Sequence, residues 1–160
     1  MPTVLIVDDD ADHRELISLA LARLGHEVVE AVDAVSAQQV LDAGGIDAVL
    51  LDVRMPGSSG IELCRLLRAE PATAHLPIML ISADVNNHRI LAAMDAGADD
   101  YLTKPYHRAE LLSRVELMLA RRGTTATKPS TAATAALLAA RAAVPRGVQI
   151  PLPRPVHRTA

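Results

Sequence analysis

Carboxylates stand together at Asp8-Asp9-Asp10 and singly at Asp52, and each of these places comes just past a short apolar run, as do Ser82 and Lys104. Two carboxylates about 5 Å apart repel by roughly 3 kcal/mol at an effective dielectric near 20. A divalent cation offsets that best, and an all-oxygen, carboxylate-rich site with positions left for water suits Mg²⁺. Lys104 adds a fixed positive charge and the Ser82 hydroxyl one hydrogen bond. Such a set can hold a phosphoryl group on a carboxylate, because phosphoryl transfer asks a protein mainly for in-line positioning and neutralised oxygens. Asp52, alone at the end of the central hydrophobic run, is the expected nucleophile, and the adjacent Asp8 and Asp9 are the expected metal-holding pair.

That chemistry requires the four places to meet at one edge, and the pattern of the first 120 residues supplies a way. Nearly all-apolar runs alternate with longer segments of helical period, five times over. The runs are Val4 to Val7, Val28 to Val32, Ala48 to Leu51, Ile78 to Ile81 and a weaker one at Tyr101 to Leu102. The first, third and fourth lack polar alternation, as strands covered on both faces do. Helical stripes lie between them: Leu16/Ile17, Ala20/Leu21 and Leu24; Ala37 and Val40/Leu41; Ile61, Cys64 and Leu67; Leu91, Met94 and Ala98; Leu111/Leu112, Val115 and Leu119. Gly25, Gly44 and Gly97 read as helix stops, and Pro71 closes the third helix. Right-handed crossovers then predict an α/β domain, a doubly wound five-stranded parallel sheet with helices on both faces. Sites in such sheets lie at the carboxyl ends of the strands, which is where the acids, Ser82 and Lys104 fall.

Composition narrows the function classes. The chain has 160 residues, 50% hydrophobic, with two tyrosines and no Phe or Trp. Its core must be aliphatic, and a base-stacking nucleic-acid module is not expected. No apolar run approaches the roughly 18 residues that a membrane span needs, and no basic-then-apolar leader follows Met1, so a cytoplasmic location is expected. The single Cys64 fits a reducing compartment and reads as an inert core thiol. The formal charge of −3 is asymmetric: residues 1–120 carry all 19 acids and 9 of the 16 basic residues, whereas 121–160 carry the other 7 and no acid. Residues 123–160 are a basic Ala/Thr/Pro-rich tail, expected to be mostly disordered. The stretch Thr131 to Val144 is marginal as an isolated helix. No second folded domain, DNA-binding or otherwise, is expected, and no membrane contact.

Four segments carry a resemblance. Leu5-Ile6-Val7-Asp8-Asp9-Asp10, Leu50-Leu51-Asp52-Val53-Arg54-Met55-Pro56-Gly57, Ile81-Ser82-Ala83 and Gly97-Ala98-Asp99-Asp100-Tyr101-Leu102-Thr103-Lys104-Pro105 resemble, in order and spacing, the receiver domain of two-component response regulators. The likeness covers residues 2–121, so residues 1–122 form the expected domain. It implies the flavodoxin-like strand order 2-1-3-4-5 and a cis Lys104-Pro105 bond. It also implies that Asp52 is the phosphoacceptor from a sensor histidine kinase or phosphotransfer protein. Asp9, Asp52 and the Arg54 backbone carbonyl would be direct Mg²⁺ ligands, with Asp8 acting through water. Ser82 and Tyr101 would be the switch pair and Lys104 the invariant lysine. Output would be protein–protein contact through the face of the fourth helix, fifth strand and fifth helix, to a partner the sequence does not identify. That face includes Asp100 and Arg114, positions used in homodimers of the family.

Tyr106 stands where Phe is commoner, adding a hydroxyl that needs a partner. Arg54 and Asp84 occupy positions that tune dephosphorylation in the family, and their pairing across the site would alter the phosphoryl lifetime. Among other acids, Asp10 or Asp12 is expected to cap the first helix. The histidines at 13, 26, 75, 88, 107 and 157 show no metal spacing and receive no chemistry. Two other classes compete: a haloacid-dehalogenase-type phosphohydrolase with Asp8 as nucleophile, from the Asp-x-Asp at 8–10, and a pseudo-receiver scaffold that is never phosphorylated.

Overall fold

A computed structural model of the chain describes residues 1–122; the predicted tail at 123–160 lies outside the described residues. Five strands alternate with five helices: β1 Thr3–Val7, α1 Ala11–Arg23, β2 Glu27–Ala31, α2 Ala34–Ala43, β3 Ala48–Asp52, α3 Gly60–Ala69, β4 Ile78–Ser82, α4 Asn87–Asp95, β5 Asp100–Thr103 and α5 Arg108–Arg121. All neighbouring strands are parallel, in the order β2-β1-β3-β4-β5. This is the doubly wound, flavodoxin-like sheet expected from the alternation of apolar runs and helical stripes.

Strand alternation divides the core into two layers. Leu5, Val7, Val49, Leu51, Ile78 and Leu80 face α2, α3 and α4, whereas Val4, Ile6, Leu50, Met79, Ile81 and Leu102 face α1 and α5. Every residue of β3 and β4 is buried, which explains why those runs lack polar positions. Each fully buried aliphatic side chain stabilises the fold by about 1.5–3 kcal/mol.

Helix ends follow local chemistry. The Asp10 carboxylate accepts the Asp12 and His13 N–H groups and caps α1. Asp33 with Ser36, and Ser59 with Glu62, form reciprocal capping boxes on α2 and α3. Gly25, Gly44 and Gly97 adopt positive φ just past α1, α2 and α4, the conformation a helix stop uses.

Some predicted stripes are out of phase with the burial. On α4 the inward residues are Ile90 and Ala93, and Leu91 is 54% exposed. Leu16 and Leu24 of the predicted α1 stripe are also exposed, while Ile17, Ala20 and Leu21 are buried. Apolar residues adjacent in sequence, such as Leu16 and Ile17 or Ile90 and Leu91, point about 100° apart around a helix, and the docking angle of the helix selects which of them is buried.

Arg68, near the end of α3, organises the opposite edge. Its guanidinium donates to the carbonyls of Gly97 (2.8 Å), Ala74 (3.1 Å) and Leu76 (2.5 Å) and to the Asp99 carboxylate (2.7 Å). Asp99 in turn accepts the Ile78 N–H at 2.9 Å, which sets β5 against the start of β4.

Candidate functional site

Strand register brings the acids level. Val7 of β1 pairs with Leu51 of β3, so Asp8 and Asp52, each one residue further on, end their strands side by side. Asp52 pairs with Ile81 of β4, and Ser82 pairs with Thr103 of β5, whose next residue is Lys104. The Lys104 N–H donates to the Ser82 carbonyl at 2.8 Å. Lys104-Pro105 is cis, as the resemblance implied.

Asp8, Asp9 and Asp52 each offer a carboxylate oxygen within 4.8 Å of one another. Asp8 and Asp52 are buried and Asp9 is exposed at the mouth. Lys104 Nζ lies 3.1 Å from Asp52 Oδ2 and 3.9 Å from Asp8 Oδ2. The far Asp52 oxygen, Oδ1, accepts the Arg54 N–H at 3.1 Å. Outside this cluster opens a cleft of about 560 Å³ lined by Asp9, Arg54, Met55, Ser82, Asp84 and Arg89. Asp52 itself does not line this cleft; Val53 and Arg54, the two residues that follow it, do, beside Asp9 and Ser82.

The two buried acids differ electrostatically. Burial and then the charge of Asp8 push the Asp52 carboxyl above the ordinary carboxylate range, against the Arg54 N–H and the Lys104 ammonium. Burial acts on Asp8 in the same sense, but hydrogen bonds from His13 and the Asp10 N–H, with the Lys104 charge, outweigh it and bring Asp8 below its usual value. Asp8 is thus the carboxylate whose charge its surroundings favour, and Asp52 the more basic of the two. One ammonium shared by two buried carboxylates, with a third beside them, leaves an excess of negative charge. An oxygen-coordinated dication fits that donor set.

The remaining predicted residues are near but not all in this cluster. Ser82 is buried, and its Oγ accepts the Asp84 N–H at 3.0 Å. Tyr101 is buried below the loop, and its hydroxyl donates to the Asp84 carbonyl at 2.8 Å. The anticipated pairing of Asp84 with Arg54 is replaced by one with Arg89 of α4, at 3.7 Å. Arg54 follows the strand end into solvent, whereas Arg89 stands one helical turn along from the Asp84 loop. Asp100 and Arg114 pair within the chain at 2.7 Å, and Arg114 also reaches Glu110 at 3.1 Å. Cys64 is buried as expected, with Sγ 3.6 Å from the Ala96 carbonyl.

Three residues of the site were not singled out for chemistry from sequence. His13 touches Asp8 through Nδ1 and the Tyr106 hydroxyl through Nε2. Tyr106 thereby finds the partner its hydroxyl needed. Gly60 begins α3 directly against the Asp52 backbone, where a Cβ would meet the Asp52 carbonyl oxygen at 2.2 Å. A glycine in the first turn after a Ser cap was the available signal for that close approach. Asp8 as a nucleophile, the phosphohydrolase alternative, finds both its oxygens engaged by the Asp10 N–H and His13.

Comparison with known proteins agrees with this geometry. Residues 4–116 match the family model described as the response regulator receiver domain. Over 121 residues, 76% of this chain and 53% of the relative, the sequence is 40% identical to the phosphate regulon transcriptional regulatory protein PhoB of Pseudomonas aeruginosa. It is also 40% identical over 129 residues, 81% of this chain, to the transcriptional regulatory protein PrrA of Mycobacterium tuberculosis, covering 54% of that protein. The chain therefore spans about half the length of these curated relatives. Among solved structures, the receiver domain of the Francisella response regulator 1452 superposes with a TM-score of 0.71 at 30% identity, covering 76% of this chain and 98% of that one. Chemotaxis response regulator CheY4 of Vibrio cholerae gives 0.70 at 27% identity, covering 74% and 98%. Among the described residues no helix is long and apolar enough to cross a membrane.

Proposed function

This chain belongs to the response regulator receiver family, and from that premise we propose that Asp52 accepts a phosphoryl group from a sensor histidine kinase or phosphotransfer protein. The observation that carries the assignment is the Asp52 Oδ2 to Lys104 Nζ contact of 3.1 Å within a cluster of three carboxylates. Asp9, Asp52 and the Arg54 backbone carbonyl would hold Mg²⁺ directly, and Asp8 through water. When bound, that dication withdraws charge from the phosphoryl oxygens. Asp52 attacks phosphorus in line, the bond from phosphorus to the donor's imidazole nitrogen breaks, and the electron pair leaves with that nitrogen. The Lys104 ammonium neutralises one phosphoryl oxygen and the Ser82 hydroxyl donates to another. The protein turns over no separate substrate; it promotes transfer onto itself and the later hydrolysis. A kinase donor of this kind places the receiver in the cytoplasm.

Output follows from the Ser82 connections. If the Ser82 hydroxyl turns toward the phosphoryl group, it releases the Asp84 N–H that it now accepts at 3.0 Å. The carbonyl of that same Asp84 residue holds Tyr101, so the loop and β5 shift together. The face formed by α4, β5 and α5, which includes Leu91 and the Asp100–Arg114 pair, then changes its affinity for a protein partner or a second copy of the chain.

Labelling with acetyl [³²P]phosphate and Mg²⁺ tests the assignment. Wild-type protein takes up label, Asp52→Asn takes up none, and Lys104→Met is strongly reduced. Undiminished labelling of Asp52→Asn removes the proposal.

A further inference from the structure

Both oxygens of Asp8 are held by groups outside the carboxylate cluster and its lysine. Its Oδ1 accepts the Asp10 N–H at 2.9 Å, and its Oδ2 faces His13 Nδ1. The other imidazole nitrogen, Nε2, lies 2.5 Å from the Tyr106 hydroxyl. His13 sits in the first turn of α1, and Tyr106, 93 positions later, lies two residues past Lys104 in the loop before α5. Sequence-distant segments meet here through one ring.

The direction of these bonds follows from the chemistry of the three groups. An ionised Asp8 carboxylate can only accept, so the imidazole donates its Nδ1–H to Oδ2, and Nε2 is left to the Tyr106 hydroxyl, which donates to a neutral ring. A ring that accepts at Nε2 carries its hydrogen at Nδ1 and donates to the Asp8 carboxylate. Contacts at both nitrogens fix the ring orientation, with Nδ1 directed at Asp8 and Nε2 at Tyr106. With Oδ1 and Oδ2 each accepting a protein hydrogen, Asp8 retains lone pairs for a water but has no freedom to rotate.

We infer that His13, braced by Tyr106, is a positioning residue of the phosphoacceptor site: it fixes the Asp8 carboxylate for a water of the magnesium shell and clasps α1 to the loop that carries Lys104. This rests on the reading of Asp8, Asp9 and Asp52 as a magnesium pocket. A residue that orients a carboxylate in this way governs metal affinity without touching the metal. A clasp that served only to join α1 to the loop would change unfolding and leave magnesium affinity alone.

The test uses the full chain and Mg²⁺ alone, titrated by calorimetry and by the emission of Tyr101 and Tyr106, the only Tyr, Phe or Trp residues in the sequence. His13→Leu weakens magnesium binding by about tenfold or more. His13→Asn, whose amide nitrogen replaces Nδ1 as donor to Asp8, recovers most of that loss. Tyr106→Phe, followed by calorimetry, falls between wild type and His13→Leu because the ring keeps its donor but loses its brace. Equal affinity in wild type and His13→Leu overturns the inference, as does His13→Asn binding no better than His13→Leu. Should His13→Leu not fold, the Asn and Phe variants still decide: wild-type affinity in Tyr106→Phe together with a full loss in His13→Asn refutes it. An Asp9→Asn variant that binds magnesium like wild type removes the pocket itself and the inference with it, a result distinct from the failure of His13 alone.

Discussion

Gly60→Ala places a methyl group against the backbone that carries Asp52, the proposed phosphoacceptor. An added Cβ would lie 2.2 Å from the Asp52 carbonyl oxygen, 3.0 Å from its carbon and 3.1 Å from Val53 Cα. All three are main-chain atoms, so no rotamer change relieves the overlap. Ordinary contact begins near 3.4 Å, and the shortest distance must therefore grow by about 1.2 Å. β3 is hydrogen-bonded to β1 on one side and β4 on the other, so most of the shift falls on the start of α3. That start is tied down by the Gly60 N–H to Val53 carbonyl bond at 3.0 Å and by buried Ile61, Leu63 and Cys64. Overpacking of this kind costs about 1–3 kcal/mol. The fraction of the shift that reaches Asp52 slows acetyl phosphate labelling by roughly tenfold or more, since a misplacement of about 1 Å can cost about a hundredfold. Urea unfolding and labelling at saturating Mg²⁺ measure the two effects. Gly25→Ala is the control: its Cβ meets nothing within 4 Å, but its φ of 86° imposes about 1–2 kcal/mol, and labelling stays at the wild-type rate. Wild-type stability and labelling in Gly60→Ala would refute the steric reasoning.

Asp52→Asn raises the melting temperature in metal-free buffer. Burial and Asp8 raise the Asp52 carboxyl above its ordinary 3.8, so the folded state favours the protonated form; stability falls as pH rises through that window, and the penalty is complete above it. The Asn variant therefore gains most near neutral pH, and the gain shrinks when Mg²⁺ is added; a lower melting temperature without metal would contradict this. Asp8 behaves oppositely, contributing stability above 3.8 that is lost as pH falls below it. Arg68→Ala leaves the carbonyls of Gly97, Ala74 and Leu76 without their charged donor and is expected to cost about 2–4 kcal/mol by urea unfolding; a loss under 1 kcal/mol would show that water replaces it. Ser59→Ala removes the α3 cap at a cost of about 1 kcal/mol, read the same way. In alkaline absorbance titration, Tyr106→Phe eliminates a phenol transition near 12 and leaves that of Tyr101, also displaced upward by burial.

The one-dimensional pattern was enough for the architecture and for most of the site. Three of the five apolar runs lack polar alternation, as strands covered on both faces of a parallel sheet do, and Asp8, Asp52, Ser82 and Lys104 each come just past one of the five. Strand period then carries them to one edge without any knowledge of contacts. Cap chemistry was legible for the same reason, because a capping side chain and its N–H groups lie within three residues, as at Asp10. What a side chain meets across the fold is set by the register and docking angle of separate elements, and no local periodicity encodes those. Hence Leu91 looked inward where Ile90 is, Asp84 was matched with Arg54 rather than Arg89, and His13 passed as an ordinary helix residue. The sequence alone determined that Asp8, Asp52, Ser82 and Lys104 come at the same ends of their strands. Only the folded chain decided which oxygen of Asp8 an imidazole holds, and that Gly60 must lack a side chain, because both depend on distances of a few ångströms between segments far apart in the chain.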